Sequence, residues 1–105
     1  MKKYKFKFTA ETAPRTFSEK PGDNYIFLAS TQNLLNLELE PTRIITLNDV
    51  LHSLGMQEIG EDGNRVGWRY TDGDFIDLRV RRIVEDEFQT ILATEFILEP
   101  NCKPL

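Results

Sequence analysis

The first residues carry the strongest constraint. Lys3, Lys5 and Lys7 alternate strictly with Tyr4, Phe6 and Phe8. A period of two with aromatics on one side specifies a half-buried strand, which must find a sheet and a cover for its aromatic face. The lysine face discourages edge-to-edge pairing with other chains. It also separates the cations from the rings, so the segment is not a stacking platform for single-stranded nucleic acid.

A second local signal is a short helix. Thr46-Leu47-Asn48-Asp49 has the form of a capping box with Asp49 reaching back. Leu47, Val50, Leu51 and Leu54 make one apolar stripe, and Gly55 stands where a helix stops. Upstream, Pro14, Pro21 and Gly22 mark residues 9–22 as a loop, and Asp23 or Asn24 is a candidate helix cap. Tyr25, Leu28, Gln32, Leu35 and Leu39 follow at steps of three or four. They predict a helix over about 24–39 that ends before Pro41. Residues 35–40 also alternate like a strand, so periodicity alone leaves both readings open.

The remainder reads as sheet. Val66, Trp68 and Tyr70 alternate with smaller or polar residues, Thr71-Asp72-Gly73-Asp74 supplies a turn, and Ile76, Leu78 and Val80 share one face. Residues 88–98 are apolar on both faces, as in a central strand or a subunit interface. The expected architecture is a single α+β domain over residues 1–105. It has one N-terminal strand, two helices (about 24–39 and 47–54) and a three-stranded antiparallel meander (about 65–70, 75–84 and 88–98). A chain of 105 residues, 40% hydrophobic and 29% charged, can bury a sufficient core without disulfides or metal.

No segment has the length of apolar sequence that a membrane helix needs. The lysines of residues 2–7 break up the apolar run of a secretion signal. The lone Cys102 fits a reducing compartment. The expected location is therefore the cytoplasm.

Net charge is −4, with +4 in residues 1–20 and −8 in the rest. An acidic body is a poor partner for phosphates, so direct nucleic-acid binding is not expected; a basic protein surface suits it better.

Residues that carry chemistry are sparse. His52 has no second ligand at metal spacing. Ser18, Ser30, Ser53 and Cys102 lie in no nucleophile motif. Asp72, Asp74 and Asp77 lack the spacing of a calcium loop, and Gly60-Glu61-Asp62-Gly63-Asn64 lacks the lysine of a phosphate loop. Arg79, Arg81 and Arg82 share a strand with Asp77 and read as cross-strand pairing. No catalytic residue, cofactor or metal is expected. Trp68 reads first as core and, if exposed, as the best interface anchor. The acidic pairs and triplet Glu61/Asp62, Asp72/Asp74 and Glu85/Asp86/Glu87 are the other candidate partner-binding residues.

Several short matches run in order: Phe27-Leu28, Gln32-Asn33 and Asn36; Leu47-Asn48-Asp49-Val50 with Leu54-Gly55; Val66-Gly67-Trp68-x-Tyr70; and Gly73-Asp74-Phe75-Ile76-Asp77. Through them, residues 25–80 resemble a family of uncharacterised proteins of tailed phages and prophages of Gram-positive bacteria. The resemblance implies a mobile-element origin and favours helix over strand for residues 25–39. The leading expectation is a non-enzymatic phage or prophage accessory protein that binds a protein partner. One form of it is an acidic inhibitor of a host defence nuclease. The alternative is a small self-associating structural or assembly protein, motivated by the two-sided strand 88–98.

Overall fold

In the computed structural model, the residues described are 3–73, 75–84, 91–98 and 103–104. Strand β1 (Tyr4–Phe8) leads into helix α1 (Pro21–Thr42), a short strand β2 (Ile44–Thr46) and helix α2 (Leu47–Ser53). A single-turn helix α3 (Asp62–Arg65) precedes strand β3 (Val66–Arg69) and a 3₁₀ turn at Tyr70–Asp72. Strands β4 (Arg81–Val84), β5 (Ile91–Leu98) and β6 (Lys103–Pro104) complete the chain. The strands pair antiparallel in two sheets, β1-β5-β4 and β2-β3-β6.

The mixed α+β class and the N-terminal strand match expectation. Phe8 is fully buried, Lys5 and Lys7 are exposed, and Phe6 stacks on Phe96 across the β1–β5 pair at 5.2 Å. The capping box of α2 forms in both directions. Asp49 N–H donates to Thr46 Oγ1 at 3.1 Å, and Thr46 N–H donates to Asp49 Oδ2 at 3.0 Å. Gly55 stops the helix at φ 74°, a conformation that costs glycine nothing. Strand β5 is the central strand of its sheet, as its two apolar faces suggested.

The meander over 65–70, 75–84 and 88–98 is not formed. Strands β3 and β4 lie in different sheets. Residues 75–80 have no regular secondary structure, with Ile76 and Leu78 fully buried and Arg79 at φ 48°, and they belong to no strand ladder. Their hydrogen bonds go elsewhere. Asn36 Nδ2 donates to Ile76 O at 2.9 Å, and Ile76 N–H donates to Asn36 Oδ1 at 2.6 Å. Leu78 N–H donates to Gln32 Oε1 at 2.8 Å, while Leu78 O accepts from Ile97 N–H at 2.8 Å. The segment is thus stitched to α1 by side-chain amides on one side and to β5 on the other. A buried backbone must be paired, and here primary amides replace a neighbouring strand. Residues 85–90, part of the expected third strand and its turn, lie outside the described residues.

Helix α1 is longer at both ends than the expected 24–39. Its cap is Lys20, with Pro21 in the first turn where its missing N–H costs nothing. Neither Asp23 nor Asn24 caps it. Asn24 is buried and folds back on the preceding loop: its Oδ1 accepts from Ser18 N–H at 2.7 Å and its Nδ2 donates to Ser18 O at 2.8 Å. The helix runs through Pro41 and closes at Arg43, whose N–H donates to Leu39 O at 2.8 Å. Thr42 Oγ1 donates to Glu38 O at 2.8 Å, satisfying a carbonyl of the last turn.

Asn48 repeats the pattern on α2. Almost fully buried, it accepts Ile59 N–H at 3.0 Å and donates to Gly60 O at 2.7 Å and Asn64 Oδ1 at 3.0 Å. Three asparagines therefore each dock a loop onto a helix.

Candidate functional site: an uncharged helix face

Helix α1 buries Asn24, Leu28, Thr31, Leu35 and Leu39 on one side, at the steps of three and four that keep residues on one face. On its outer side Ile26, Ser30, Asn33, Leu34 and Leu37 are all exposed. Ile26 is 62% exposed, Leu34 59% and Leu37 73%. A surface helix normally sets charged residues opposite its core stripe. This one has none from Asn24 to Leu37, a length of about 21 Å. Charge returns only at the ends, with Asp23 before the stretch and Glu38 and Glu40 after it. Phe75, which precedes the Ile76 clamped by Asn36, is also exposed.

Scattered exposed leucines need no explanation, but three large apolar residues on one helix face with only Ser30 and Asn33 between them and no charge mark a surface that water does not favour. The sequence carried the signal in the absence of any Asp, Glu, Lys or Arg across four helical turns. Reading only the inner stripe passed over it.

The expected partner-binding residues are placed differently. Trp68 is buried in the core, pairs through its backbone with Ile45, and is no surface anchor. Its Nε1 has no acceptor among the described residues. Glu61 lies 3.6 Å from Arg65 as an exposed pair one helical turn apart. Asp62 opens α3 beside it. Asp72 closes the 3₁₀ turn that ends at Gly73. Asp74, Glu85, Asp86 and Glu87 lie outside the described residues.

A cleft of about 670 Å³ lies between the loop after β1 and the end of α2. Phe6, Glu11, Arg15, His52 and Met56 are among its lining residues. The nearby hydroxyls are committed to backbone: Thr12 Oγ1 donates to Lys7 O at 2.6 Å and Ser53 Oγ to Asp49 O at 2.9 Å. Ser18 Oγ accepts Lys20 N–H at 3.1 Å, Ser30 stands on the outer face of α1, and Cys102 lies outside the described residues. Asp77 Oδ1 accepts Arg79 N–H at 3.0 Å in a local turn. Among the described residues, no three His, Cys, Asp or Glu side chains gather to hold a metal. No described helix is long and apolar enough to cross a membrane.

No curated protein and no solved structure matches the chain. A family model does, over residues 2–104. The chain accordingly belongs to the family of unknown function DUF6353.

Proposed function

We propose that the chain is a non-enzymatic accessory protein that works by binding another protein, and that the outer face of α1 is the contact surface. The observation that carries this reading is the uncharged stretch from Asn24 to Leu37 with Ile26, Leu34 and Leu37 turned to solvent. Burying such a strip contributes about 25 cal/mol per Å² of apolar surface, and no ion pair has to be desolvated along it. The acidic form of the reading, with phosphate-mimicking carboxylates blocking a nuclease, has weaker support. Of its residues, Glu61 and Asp62 are the ones with described side chains, and Glu61 is paired with Arg65.

The resemblance to phage and prophage proteins adds a setting. The partner would be a protein of the infected host or of the phage, met in the host cytoplasm.

The test is affinity capture from a bacterial lysate, with and without phage infection, read by mass spectrometry. Wild type is compared with a Leu34→Glu/Leu37→Glu variant. Both positions are exposed, so the fold tolerates the change. A stoichiometric partner that the variant loses supports the reading. Equal capture by both proteins removes α1 from the interface.

A further inference from the structure

We infer that the cleft between the loop after β1 and the end of α2 binds a small zwitterion with an apolar body, a free apolar amino acid or a dipeptide. Among the described residues, none that lines it belongs to α1, so the inference stands apart from the contact face proposed above.

Its floor is core and its rim is polar. Met56 is buried within the main core cluster, and the half-buried Phe6 packs against that cluster. The Phe6 ring is held by its stack on Phe96 at 5.2 Å. Cover over the aromatic face of β1 is thus incomplete at Phe6. Glu11, Arg15, His52 and Gln57 line the same cleft and are all exposed. Its volume of about 670 Å³ falls within the roughly 300–1,000 Å³ of small-ligand sites, which join an apolar surface to a few polar groups.

The walls are in place before any ligand arrives. Thr12 Oγ1 donates to Lys7 O at 2.6 Å, and Thr16 Oγ1 donates to Leu54 O at 2.7 Å. The loop is therefore tied to β1 on one side and to the end of α2 on the other. Between these ties Ala13 is fully buried, and its N–H donates to Thr9 O at 2.9 Å. A β-carbon at Gly55 would lie 2.7 Å from Thr16 Cγ2, so the loop rests directly on the helix end. A preformed site spares the ligand the cost of ordering it.

The charges name the ligand. Glu61 and Arg65 are four residues apart and reach each other at 3.6 Å. Glu11 and Arg15 have the same spacing and the same two charges, yet they do not pair. Among the described residues neither has an ion-pair partner. The cleft therefore offers one cation and one anion over an apolar floor. A ligand carboxylate accepts the forked N–H groups of a guanidinium. A ligand ammonium donates to the Glu11 carboxylate, and an apolar side chain covers Phe6 and Met56. His52 and Gln57 can each donate and accept, so they suit either end. A dianion would meet Glu11, and a dication would meet Arg15.

Methyl and amide NMR spectra of the full chain test the site. L-phenylalanine and alanyl-phenylalanine are titrated to about 10 mM, which covers the millimolar affinities expected of an open cleft. Both should shift the Met56 methyl and Gly55 amide signals saturably, and the tighter of the two is the better-sized form. 3-Phenylpropionate lacks the ammonium and phenethylamine lacks the carboxylate. Each should bind about tenfold more weakly than phenylalanine. Arg15→Ala should weaken phenylalanine about tenfold and leave phenethylamine unchanged. Glu11→Gln should weaken phenylalanine by a similar factor and leave 3-phenylpropionate unchanged. Both side chains are exposed, so the Trp68 emission of the variants should match wild type.

The absence of a saturable shift at about 10 mM overturns the inference. So does binding of 3-phenylpropionate or phenethylamine as tight as that of phenylalanine, or a variant that weakens every probe alike.

Discussion

The amide clamp between α1 and residues 76–78 gives a prediction that can be worked from the geometry. In Asn36→Ala both hydrogen bonds to Ile76 are lost, those of 2.9 and 2.6 Å. The Ile76 side chain is fully buried, so its N–H and C=O have little access to water. Each orphaned group costs about 1–3 kcal/mol. Because the Asn36 site is half-buried, the lower half of that range applies, for about 2–4 kcal/mol in total. Alanine returns about 0.6 kcal/mol of helix propensity. The net loss is about 2–3 kcal/mol, or a fall in Tm of about 10–20 °C for a domain of this size. Urea unfolding followed by the emission of Trp68 measures the loss, and hydrogen exchange at the Ile76 amide localises it. A loss below about 0.5 kcal/mol with Ile76 still protected would refute the claim that these bonds hold the segment.

Asn36→Asp separates donor from acceptor. The carboxylate still accepts from Ile76 N–H, but its second oxygen now faces Ile76 O. The neutral acid can donate there, so the folded-state pKa lies above the unfolded value of about 3.9. Asn36→Asp should be nearest to wild type below about pH 4 and should lose stability as pH rises through the folded pKa.

Two further substitutions test local devices. Thr46→Ala removes one half of the α2 capping box and should cost about 1 kcal/mol in denaturant. Adding Asp49→Ala should then cost less than it does alone, since both act in one box. Gly63→Ala sets a methyl into the Asn48 amide. It should destabilise by about 1–3 kcal/mol and release the protection of the Ile59 amide, seen by hydrogen exchange.

Local signals in the sequence translated directly into structure. Alternation at 3–8 and the box at Thr46 and Asp49 depend on neighbours within a few residues, and both elements form as read. The burial of Ile76 and Leu78 was legible for the same reason, because they alternate with Asp77, although the strand expected from residue 75 begins only at Arg81. The partners of this segment were not. Period two shows which side of a segment is buried, but not what accepts its hydrogen bonds. Here Gln32 and Asn36 supply partners from 40 or more positions away, and nothing local separates such amides from solvent-facing ones. The same limit broke the meander: Val66–Arg69 forms a strand, but β3 pairs with β2 and β6, and Tyr70, expected on the face of Trp68, is exposed in the 3₁₀ turn that follows. Trp68 fell on the core side because its strand is covered. The outer face of α1 was readable only as a missing charge, which a search for apolar stripes does not count.

The register of β1 has a consequence for how the chain reaches this state. Tyr4 faces Leu98 and Phe8 faces Thr94, so the first strand waits for nearly the last. Closing a loop of that length costs roughly 4 kcal/mol of chain entropy, which the ladder repays only once several rungs are made. During synthesis α1 and the capped α2 can gather while Phe6 and Phe8 have no partner. Until β5 emerges, the alternating lysines are what keep that aromatic strand from pairing with its neighbours in the crowd.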